Sequence, residues 1–266
     1  MFFRSPLTGN HCVVAALCGF FCALVGHAAF AVALTGRDVA VKVDEADACT
    51  SSDMAIVMVI QRGGQTLERI MSVRKKKFTD MEKQRIRFLE PPDVRDTAYL
   101  TWSYKDFKKD DDMWVYLPAQ SLTRRISGGG KKGAFMRGDY ANEDMSRREV
   151  DEDAYTMLTD EKLAGVDCHV IEARPVFPDK TNYSKRVIWV RKDFWLPTKI
   201  DYYDQNETLM KELVFGGFKE IQGIWTATRQ RMKTVDGDSE TTLELRQVVY
   251  DAPVADDIFS SQDLKR

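Results

Sequence analysis

The residue types that most often carry catalysis are scarce beyond residue 31 of this chain. One histidine, His169, lies there, directly after Cys168. Neighbouring residues of a strand point to opposite faces, so this thiol and this imidazole cannot act as a nucleophile and its base. The Gly-x-Ser-x-Gly turn of serine hydrolases does not occur, and so few nitrogen and sulfur ligands disfavour a zinc site. We therefore expect no catalytic centre and no metal.

Acidic and glycine-rich clusters lie between predicted strands. The acidic clusters are Asp110 to Asp112, Asp151 to Asp153 and Asp236 to Glu240. Because Asp and Gly are common at turns for backbone reasons, we interpret these clusters as turns rather than calcium sites. The loop 128–133, GGGKKG, lacks the phosphate-binding pattern and favours a mobile flap. The basic residues around it either face solvent or meet lipid phosphates at an anionic surface: Arg124, Arg125, Lys131 and Lys132.

Aromatic side chains are more informative than these polar clusters. They lie on predicted strands or at strand ends, where alternation places Trp114 and Tyr116 on one face. Rigid apolar surface of this kind suits either core packing or the lining of a site for acyl chains. With two residues of the segment after the glycine loop, the candidates for an acyl-binding cavity are Trp102, Trp114, Tyr116, Phe135, Met136, Trp189, Tyr202, Phe215 and Trp225.

The elements that must position these residues are mainly strands. Residues 34–48 predict one N-terminal helix, with Thr35 as its cap and apolar residues at helical spacing. Ten or eleven alternating segments, joined by short turns, then predict antiparallel strands, and a short helical stretch lies at 142–149. The alternating segments are 54–60, 65–73, 82–90, 98–104, 113–118, 167–173, 185–191, 196–204, 209–218, 224–232 and 241–250.

This imbalance between strands and helices has a consequence for the fold. An antiparallel sheet with one apolar face must cover that face, and the few predicted helices are too small to cover so many strands. The sheet must therefore curl over its own apolar face. We predict a mainly β protein, a half-open antiparallel β-barrel whose helical lid encloses an apolar cavity. A two-sheet sandwich with a filled core is the alternative.

The charge is unevenly distributed along the 266 residues. Arg4 is the one charged residue of the first 34, although 30% of the whole chain is charged and its net charge is −2. An apolar run at 13–25 and small residues near 29–33 are typical of a secretory signal. We predict a signal peptide at 1–31, with an uncleaved anchor as the alternative, and one domain at 32–266. The balanced charge excludes a basic nucleic-acid-binding surface.

Two cysteines remain beyond the predicted signal peptide. Cys49 and Cys168 would either pair in an oxidising compartment or stay separate as small buried hydrophobic groups. The sequence leaves both alternatives open.

A motif in the middle of the chain resembles a known family. It runs from Trp114-Val115-Tyr116-Leu117-Pro118-Ala119 through Arg124-Arg125-Ile126 to the stretch Phe135–Asp144. It is similar to the outer-membrane lipoprotein-sorting protein family, of the LolA-, LolB- and RseB-like superfamily, whose pattern is approximately WVYLPA, RRI and FMGSD[FY]xxED. Arg137-Gly138 replaces the Gly-Ser of that pattern, which changes the charge and the backbone freedom. The motif residues are Trp114, Pro118, Arg124, Arg125, Asp139, Glu143 and Asp144.

The resemblance implies a periplasmic protein with a half-open barrel, a helical lid and an acyl-chain cavity, without a cofactor or catalysis. Proteins like this carry lipids or lipoproteins between membranes, or sense them. We therefore expect a carrier for lipoprotein sorting to the outer membrane. Its partners would be acyl chains or lipoproteins, with an inner-membrane transporter or an outer-membrane acceptor, and no nucleic acid. A lipid-sensing regulatory module is the alternative, and a lipid-acting enzyme is the third hypothesis.

Overall fold

The N-terminal helix is the first element of the computed structural model, which describes residues 33–265. Helix α1 (Gly36–Ala46) begins after Thr35, whose hydroxyl accepts a hydrogen bond from the backbone N of Asp38 at 3.1 Å. The Asp38 carboxylate in turn accepts one from the backbone N of Thr35 at 2.9 Å, which completes a capping box. The predicted helix and its Thr35 cap are confirmed. The predicted signal peptide lies outside the described residues.

Strands make up most of the remaining chain. Residues 33–265 form sixteen strands, a second helix, α2 (Gly129–Lys132), and six short 3-10 helices. The strands are β1 (Ser51–Arg62), β2 (Gln65–Lys77), β3 (Met81–Glu90), β4 (Ala98–Tyr104), β5 (Asp112–Leu117), β6 (Leu122–Ile126), β7 (Asp153–Met157), β8 (Glu161–Leu163), β9 (Val166–Pro175), β10 (Lys185–Arg191), β11 (Pro197–Tyr203), β12 (Leu209–Gly216), β13 (Lys219–Ile221), β14 (Ile224–Thr226), β15 (Arg229–Thr234) and β16 (Ser239–Tyr250). The 3-10 helices are Pro118–Gln120, Phe135–Arg137, Glu143–Met145, Val150–Glu152, Pro178–Lys180 and Asp257–Phe259. None of the helices in this part of the chain has the length and apolar character needed to cross a bilayer.

Fourteen of these strands form one antiparallel sheet that does not close. Its order is β6-β5-β4-β3-β2-β1-β16-β15-β12-β11-β10-β9-β7, with β8 also paired to β9, and β13 and β14 form a separate hairpin. Within residues 33–265 the two outermost strands, β6 and β7, do not pair with each other. The half-open barrel is therefore confirmed. The sandwich alternative is wrong, because one continuous sheet replaces two packed sheets.

Irregular pairing helps this sheet to curl. The register of β1 against β16 shifts between Ala55 and Ile56, and that of β2 against β3 shifts between Ile70 and Met71. Similar shifts occur where β11 pairs with β10 and β12. A β-bulge bends its strand and increases the local twist. The sheet therefore acquires a concave face.

The concave face carries the main hydrophobic core. Alternate side chains of β1 and β2, such as Met58 and Met71, are fully buried there. Residues 133–150, which we call the motif segment, cross this face and add Phe135 and Tyr140 to the same core. Part of the barrel interior is therefore filled by the chain itself.

The outer face of β2 to β5 is covered as well. Residues 252–265, which we call the C-terminal segment, place Phe259 and Leu264 in a second core with Ala98 and Leu100 of β4. The sheet is therefore buried on both sides in this half of the molecule.

Candidate functional site

An apolar cavity of about 250 Å³ lies between helix α1 and the concave face of the sheet. Most of its lining is hydrocarbon, contributed by Val43, Ala46, Met54, Ile56, Leu196, Pro197, Phe215, Ile224, Trp225, Ala227, Leu243 and Leu245. The remaining lining residues are Asp47, Thr226, Thr228, Gln230 and Tyr250. A pocket with this composition favours an apolar ligand, because removing apolar surface from water stabilises the bound state.

One apolar stripe places α1 over the sheet. Val39 is fully buried against Ile171 of β9 and Val190 of β10. Val43 lies one turn further along the same stripe and Ala46 follows three residues later, so both reach the cavity. The N-terminal half of α1 therefore anchors the helix, and its C-terminal half forms a wall of the cavity.

Ion pairs fix the end of α1 to the motif segment. Arg147 pairs with Asp44 of α1, with Asp47 at 3.3 Å and with Glu82 of β3 at 3.5 Å. Burial alone would lower the pKa of Arg147, but the carboxylates of Glu82 and Asp44 raise it. The Arg147 side chain is only 17% exposed, so water screens these pairs less than it screens surface pairs. Movement of this helix end requires several of them to break.

An exposed aromatic stack stands beside the apolar cavity. Trp225 is 40% exposed and stacks on Phe194, with ring centroids 4.3 Å apart and ring planes at 6°. The ring centroids of Phe218 and Phe194 are 5.3 Å apart, and the Arg191 guanidinium lies 4.3 Å from the centre of the Phe194 ring. Large apolar surface is therefore available to solvent next to the cavity.

Asp139 fastens the motif segment to the concave face. Its carboxylate is buried and accepts hydrogen bonds from the hydroxyls of Thr234 at 2.8 Å, Ser239 at 2.6 Å and Thr241 at 2.6 Å. Its backbone N donates to the Thr241 hydroxyl at 2.9 Å. These bonds compensate the burial of the charge, so Asp139 has a structural role in positioning the segment.

The motif segment lies close against the sheet at Gly138. A Cβ at this position would lie 2.7 Å from Met58 Cε and 3.0 Å from Thr241 Oγ1. Arg137 adopts a φ of +62°, in the left-handed region that favours glycine. In place of the Gly-Ser of the family pattern, this chain therefore has its glycine, Gly138, at the contact with the sheet. The strained backbone falls on Arg137.

Glu143 and Asp144 anchor the far end of the motif segment. The Tyr183 hydroxyl donates to Asp144 at 2.8 Å, and the backbone N of Asn182 donates to Glu143 at 3.0 Å. Burial raises the pKa of both carboxyl groups, although Lys211, 3.8 Å from Asp144, opposes the shift there. Glu143 and Asp144 therefore attach the motif segment to Asn182 and Tyr183.

A second cavity, of about 290 Å³, is lined mainly by charged and aromatic side chains; we call it the polar cavity. It lies between the β4–β5 turn, α2, the motif segment and residues 177–186. It shares no lining residue with the apolar cavity. Asp111 faces it, and burial raises the pKa of this carboxyl to about 6. The two cavities therefore differ in position and in chemistry.

The aspartates of the β4–β5 turn have separate partners. Asp110 pairs with Lys180 at 2.6 Å, whereas Asp112 pairs with Arg125 and accepts from the Tyr104 hydroxyl at 2.9 Å. In the described part of the chain, no group of three or more His, Cys, Asp or Glu residues could hold a metal ion. The carboxylates of Asp110 and Asp112 therefore stabilise the local structure. Cys49 and Cys168 are separate buried thiols, which answers the open question of their pairing in this structure.

Known proteins with this architecture identify the family. A protein-family model described as "Uncharacterized protein" matches residues 80–266. The crystal structure of a DUF1329 family protein from Desulfovibrio piger is 41% identical, with a TM-score of 0.84, and the match covers 86% of this chain and 97% of that one. The chain belongs to the DUF1329 family. No curated protein shows significant sequence similarity to it.

Two further structures are similar to this DUF1329 chain. A putative outer membrane lipoprotein-sorting protein domain from Vibrio parahaemolyticus is 29% identical, with a TM-score of 0.83 over 87% of this chain and 98% of that one. A LolA superfamily protein from Nitrosomonas europaea is 21% identical, with a TM-score of 0.70 over 86% and 98%. The second similarity concerns the fold alone. The resemblance drawn from the central motif is confirmed, and the fold is LolA-like.

The predicted cavity residues of this DUF1329 chain do not share one site. Phe215 and Trp225 line the apolar cavity, and Tyr202 lines the polar one. Phe135 is buried in the main core, and Met136 packs against that core.

The remaining predicted cavity residues lie on the outer face. Trp189 donates to Glu161 at 2.8 Å from the side of β10 opposite α1. Three others belong to the core under the C-terminal segment, namely Trp102, Trp114 and Tyr116. Alternation correctly places Trp114 and Tyr116 on one face but does not say which face is concave.

The basic and proline residues of the motif have local contacts. Pro118 begins a 3-10 helix, and Arg124 lies opposite Val115 in the β5–β6 pair. Near the glycine loop, which folds into α2, Lys131 donates to the Asp111 carbonyl at 2.6 Å and Lys132 to the Asp179 carbonyl at 2.9 Å.

Most residues of the apolar cavity wall were not among the predicted cavity residues. Val43, Met54, Ile56, Leu243 and Leu245 line it in this DUF1329 protein. Each follows the helical or alternating pattern of its element, so the signal for a buried side chain was present. The pairing of β1 with β16, which brings these residues together, has no local signal in the sequence.

Proposed function

We propose that this protein is a periplasmic carrier that shelters the acyl chains of a lipid or lipoprotein during sorting to the outer membrane. The observation that carries the proposal is the apolar cavity between α1 and the concave face. The sequence similarity to the putative lipoprotein-sorting domain from Vibrio supports it. An inner-membrane transporter would supply the cargo and an outer-membrane acceptor would receive it. The carrier binds without catalysing a reaction.

Helix α1 is the lid of this cavity. Its N-terminal half stays packed on β9 and β10 through Val39, while its C-terminal half is held by the ion pairs of Arg147. Separation of Val43 and Ala46 from the sheet would widen the cavity. The exposed ring of Trp225 then offers apolar surface to a chain that enters or leaves.

The affinity for acyl chains tests the carrier function. Each buried CH₂ contributes about 0.8 kcal/mol, so the affinity should rise about fourfold per added methylene until the cavity is full. The purified protein is titrated with fatty acids of increasing length, which displace a fluorescent acyl probe. An affinity that does not depend on chain length would contradict the proposal.

A matched pair of variants locates the binding. Ala46→Trp places a large ring in the cavity and should weaken acyl binding at least tenfold. Ala48→Trp adds the same ring at an exposed position outside the cavity and should bind as the wild type does. Circular dichroism and thermal unfolding confirm that both variants fold. Equal binding by the two folded variants would place the ligand elsewhere.

A further inference from the structure

Two half-buried carboxylates, those of Asp111 and Glu143, line the polar cavity. Asp111 accepts a hydrogen bond from the backbone N of Tyr104 at 3.0 Å, and Glu143 accepts one from the backbone N of Asn182 at 3.0 Å. In the described part of the chain neither carboxylate forms an ion pair within 4.0 Å, whereas the neighbouring Asp110 pairs with Lys180 at 2.6 Å. The more distant Lys131 and Arg186 oppose part of the effect of burial on the pKa of Asp111 and of Glu143, respectively. Burying an unpaired charge is unfavourable, so these groups would gain from an ammonium ligand.

Aromatic rings line the same cavity as these carboxylates. Tyr183 and Tyr202 are buried at the inner end of the cavity, with ring centroids 4.7 Å apart. Tyr104 lines the same space. A combination of carboxylates and aromatic faces is the common protein environment for an organic cation.

The opening of the polar cavity carries positively charged lysines, in contrast to these carboxylates. The Lys109 ammonium lies 3.3 Å from the centre of the Tyr104 ring, and Lys131 donates to a backbone carbonyl. In the described chain neither lysine pairs with a carboxylate, unlike Lys180, which pairs with Asp110. Two ammonium groups that form no ion pair within 4.0 Å are suited to a phosphate.

A half-buried phenylalanine, Phe107, and an exposed one, Phe177, complete the opening. Phe107 and Phe177 come from different turns and stack with centroids 6.1 Å apart. Phe177 is 38% exposed, and Lys180 lies 4.7 Å from the centre of its ring. Apolar rings flanked by lysines match the boundary between the phosphate groups and the hydrocarbon of a lipid.

We propose that the polar cavity binds the phosphoethanolamine group of a phospholipid. The ammonium group lies between Asp111 and Glu143, and the phosphate lies at Lys109 and Lys131. The acyl chains leave across Phe107 and Phe177. This site is independent of the proposed acyl cavity, because the two share no lining residue.

Short-chain lipids that differ only in their headgroup test the site. Isothermal titration calorimetry compares dihexanoyl phosphatidylethanolamine with dihexanoyl phosphatidylglycerol, so any contribution from the apolar cavity is the same for both. The ethanolamine lipid should bind at least tenfold more tightly. Equal affinities would overturn the proposal.

Charge-removing variants assign the roles within the cavity. Asp111→Asn should abolish the preference for ethanolamine, whereas Asp106→Asn, an exposed residue of the same turn outside the cavity, should retain it. Lys109→Gln should weaken both lipids several-fold, and Lys105→Gln, exposed in the same turn, should weaken neither. An unchanged headgroup preference in folded Asp111→Asn would overturn the assignment.

A soluble ester distinguishes a lipid from a free metabolite. Glycerophosphoethanolamine carries the same polar group without acyl chains and should bind at least tenfold more weakly than the lipid. Equal affinity would assign the site to a soluble phosphoethanolamine compound and overturn the lipid proposal. The Ala46→Trp variant should retain the headgroup preference, so failure of this site and failure of the acyl carrier function are separable.

Discussion

Asp139 is a buried carboxylate that joins three parts of the chain. Its hydroxyl partners Thr234, Ser239 and Thr241 belong to β15 and β16, whereas Asp139 itself lies in the motif segment. Hydrogen bonds to a charged group are stronger than neutral ones, and removal of the charge would leave three donors unpaired. The position of the whole segment therefore depends on one side chain.

The Asp139→Ala variant measures this dependence. We expect the free energy of unfolding to fall by about 3 kcal/mol, because buried hydroxyl groups lose their acceptor. Urea denaturation followed by tryptophan fluorescence gives the value. Asp236→Ala, at an exposed position in the neighbouring β15–β16 turn, should change it by less than about 0.5 kcal/mol. Similar losses in both variants would show that Asp139 is not an anchor.

The sequence alone could not predict that Asp139 anchors the motif segment to β15 and β16. The motif identified the residue, but its first partner, Thr234, is 95 positions away. Threonines that alternate along a strand look the same whether they face water or a buried carboxylate. Local patterns therefore predict which residues share a face, and long-range pairing decides what each face meets.

At the scale of elements, the eleven residues of α1 both pack on the sheet and line the apolar cavity. Its first turns are packed on β9 and β10, and its last turn borders the apolar cavity. The Thr35 capping box stabilises the end opposite the cavity. A short helix is marginal in isolation, so the cap and the packing together determine the stability of α1.

The Thr35→Ala variant tests the cap. Loss of a threonine cap costs about 1 kcal/mol of helix stability, so the amides of α1 should exchange with deuterium about fivefold faster. Hydrogen exchange with mass spectrometry of the α1 peptide measures this change. Thr35→Ser retains the hydroxyl and should exchange at nearly the wild-type rate. Equal exchange in the Ala and Ser variants would contradict a capping role.

The elements themselves were largely predictable. Thr35 and the spacing of Val39 and Val43 gave α1, and alternation gave the long strands and the curled sheet. Strands of three residues, such as β8 and β13, are too short for alternation to identify them. The C-terminal segment has no periodic pattern, so the burial of Trp102 beneath it could not be foreseen.

At the scale of the molecule, the sheet is covered differently on its two sides. The motif segment and α1 lie on the concave face, and the C-terminal segment lies on the outer face of β2 to β5. Trp102 donates to the Phe259 carbonyl at 3.0 Å, which adds a polar bond to the apolar packing. The segment therefore converts an amphipathic sheet into a two-sided core.

The Phe259→Ala variant tests this cover. Phe259 is 1% exposed, and truncation of such a ring should lower the free energy of unfolding by about 3 to 5 kcal/mol. Urea denaturation measures the change. Gln262→Ala, at an exposed position of the same segment, should have almost no effect. A small effect of Phe259→Ala would show that the segment is dispensable for stability.

The pairing of β1 with β16 also affects the order in which parts of the sheet can form. Ser52 pairs with Tyr250, so the centre of the sheet joins strands from opposite ends of the described chain. When the chain emerges N-terminus first, at a ribosome or across a membrane, β1 is available before β16, and until β16 follows the edge of β1 that faces away from β2 is open to other polypeptides. The two halves of the sheet can form separately, but the seam between them must wait for nearly the whole chain. The seam therefore depends on a pairing between strands that lie far apart in the sequence, which favours slow folding.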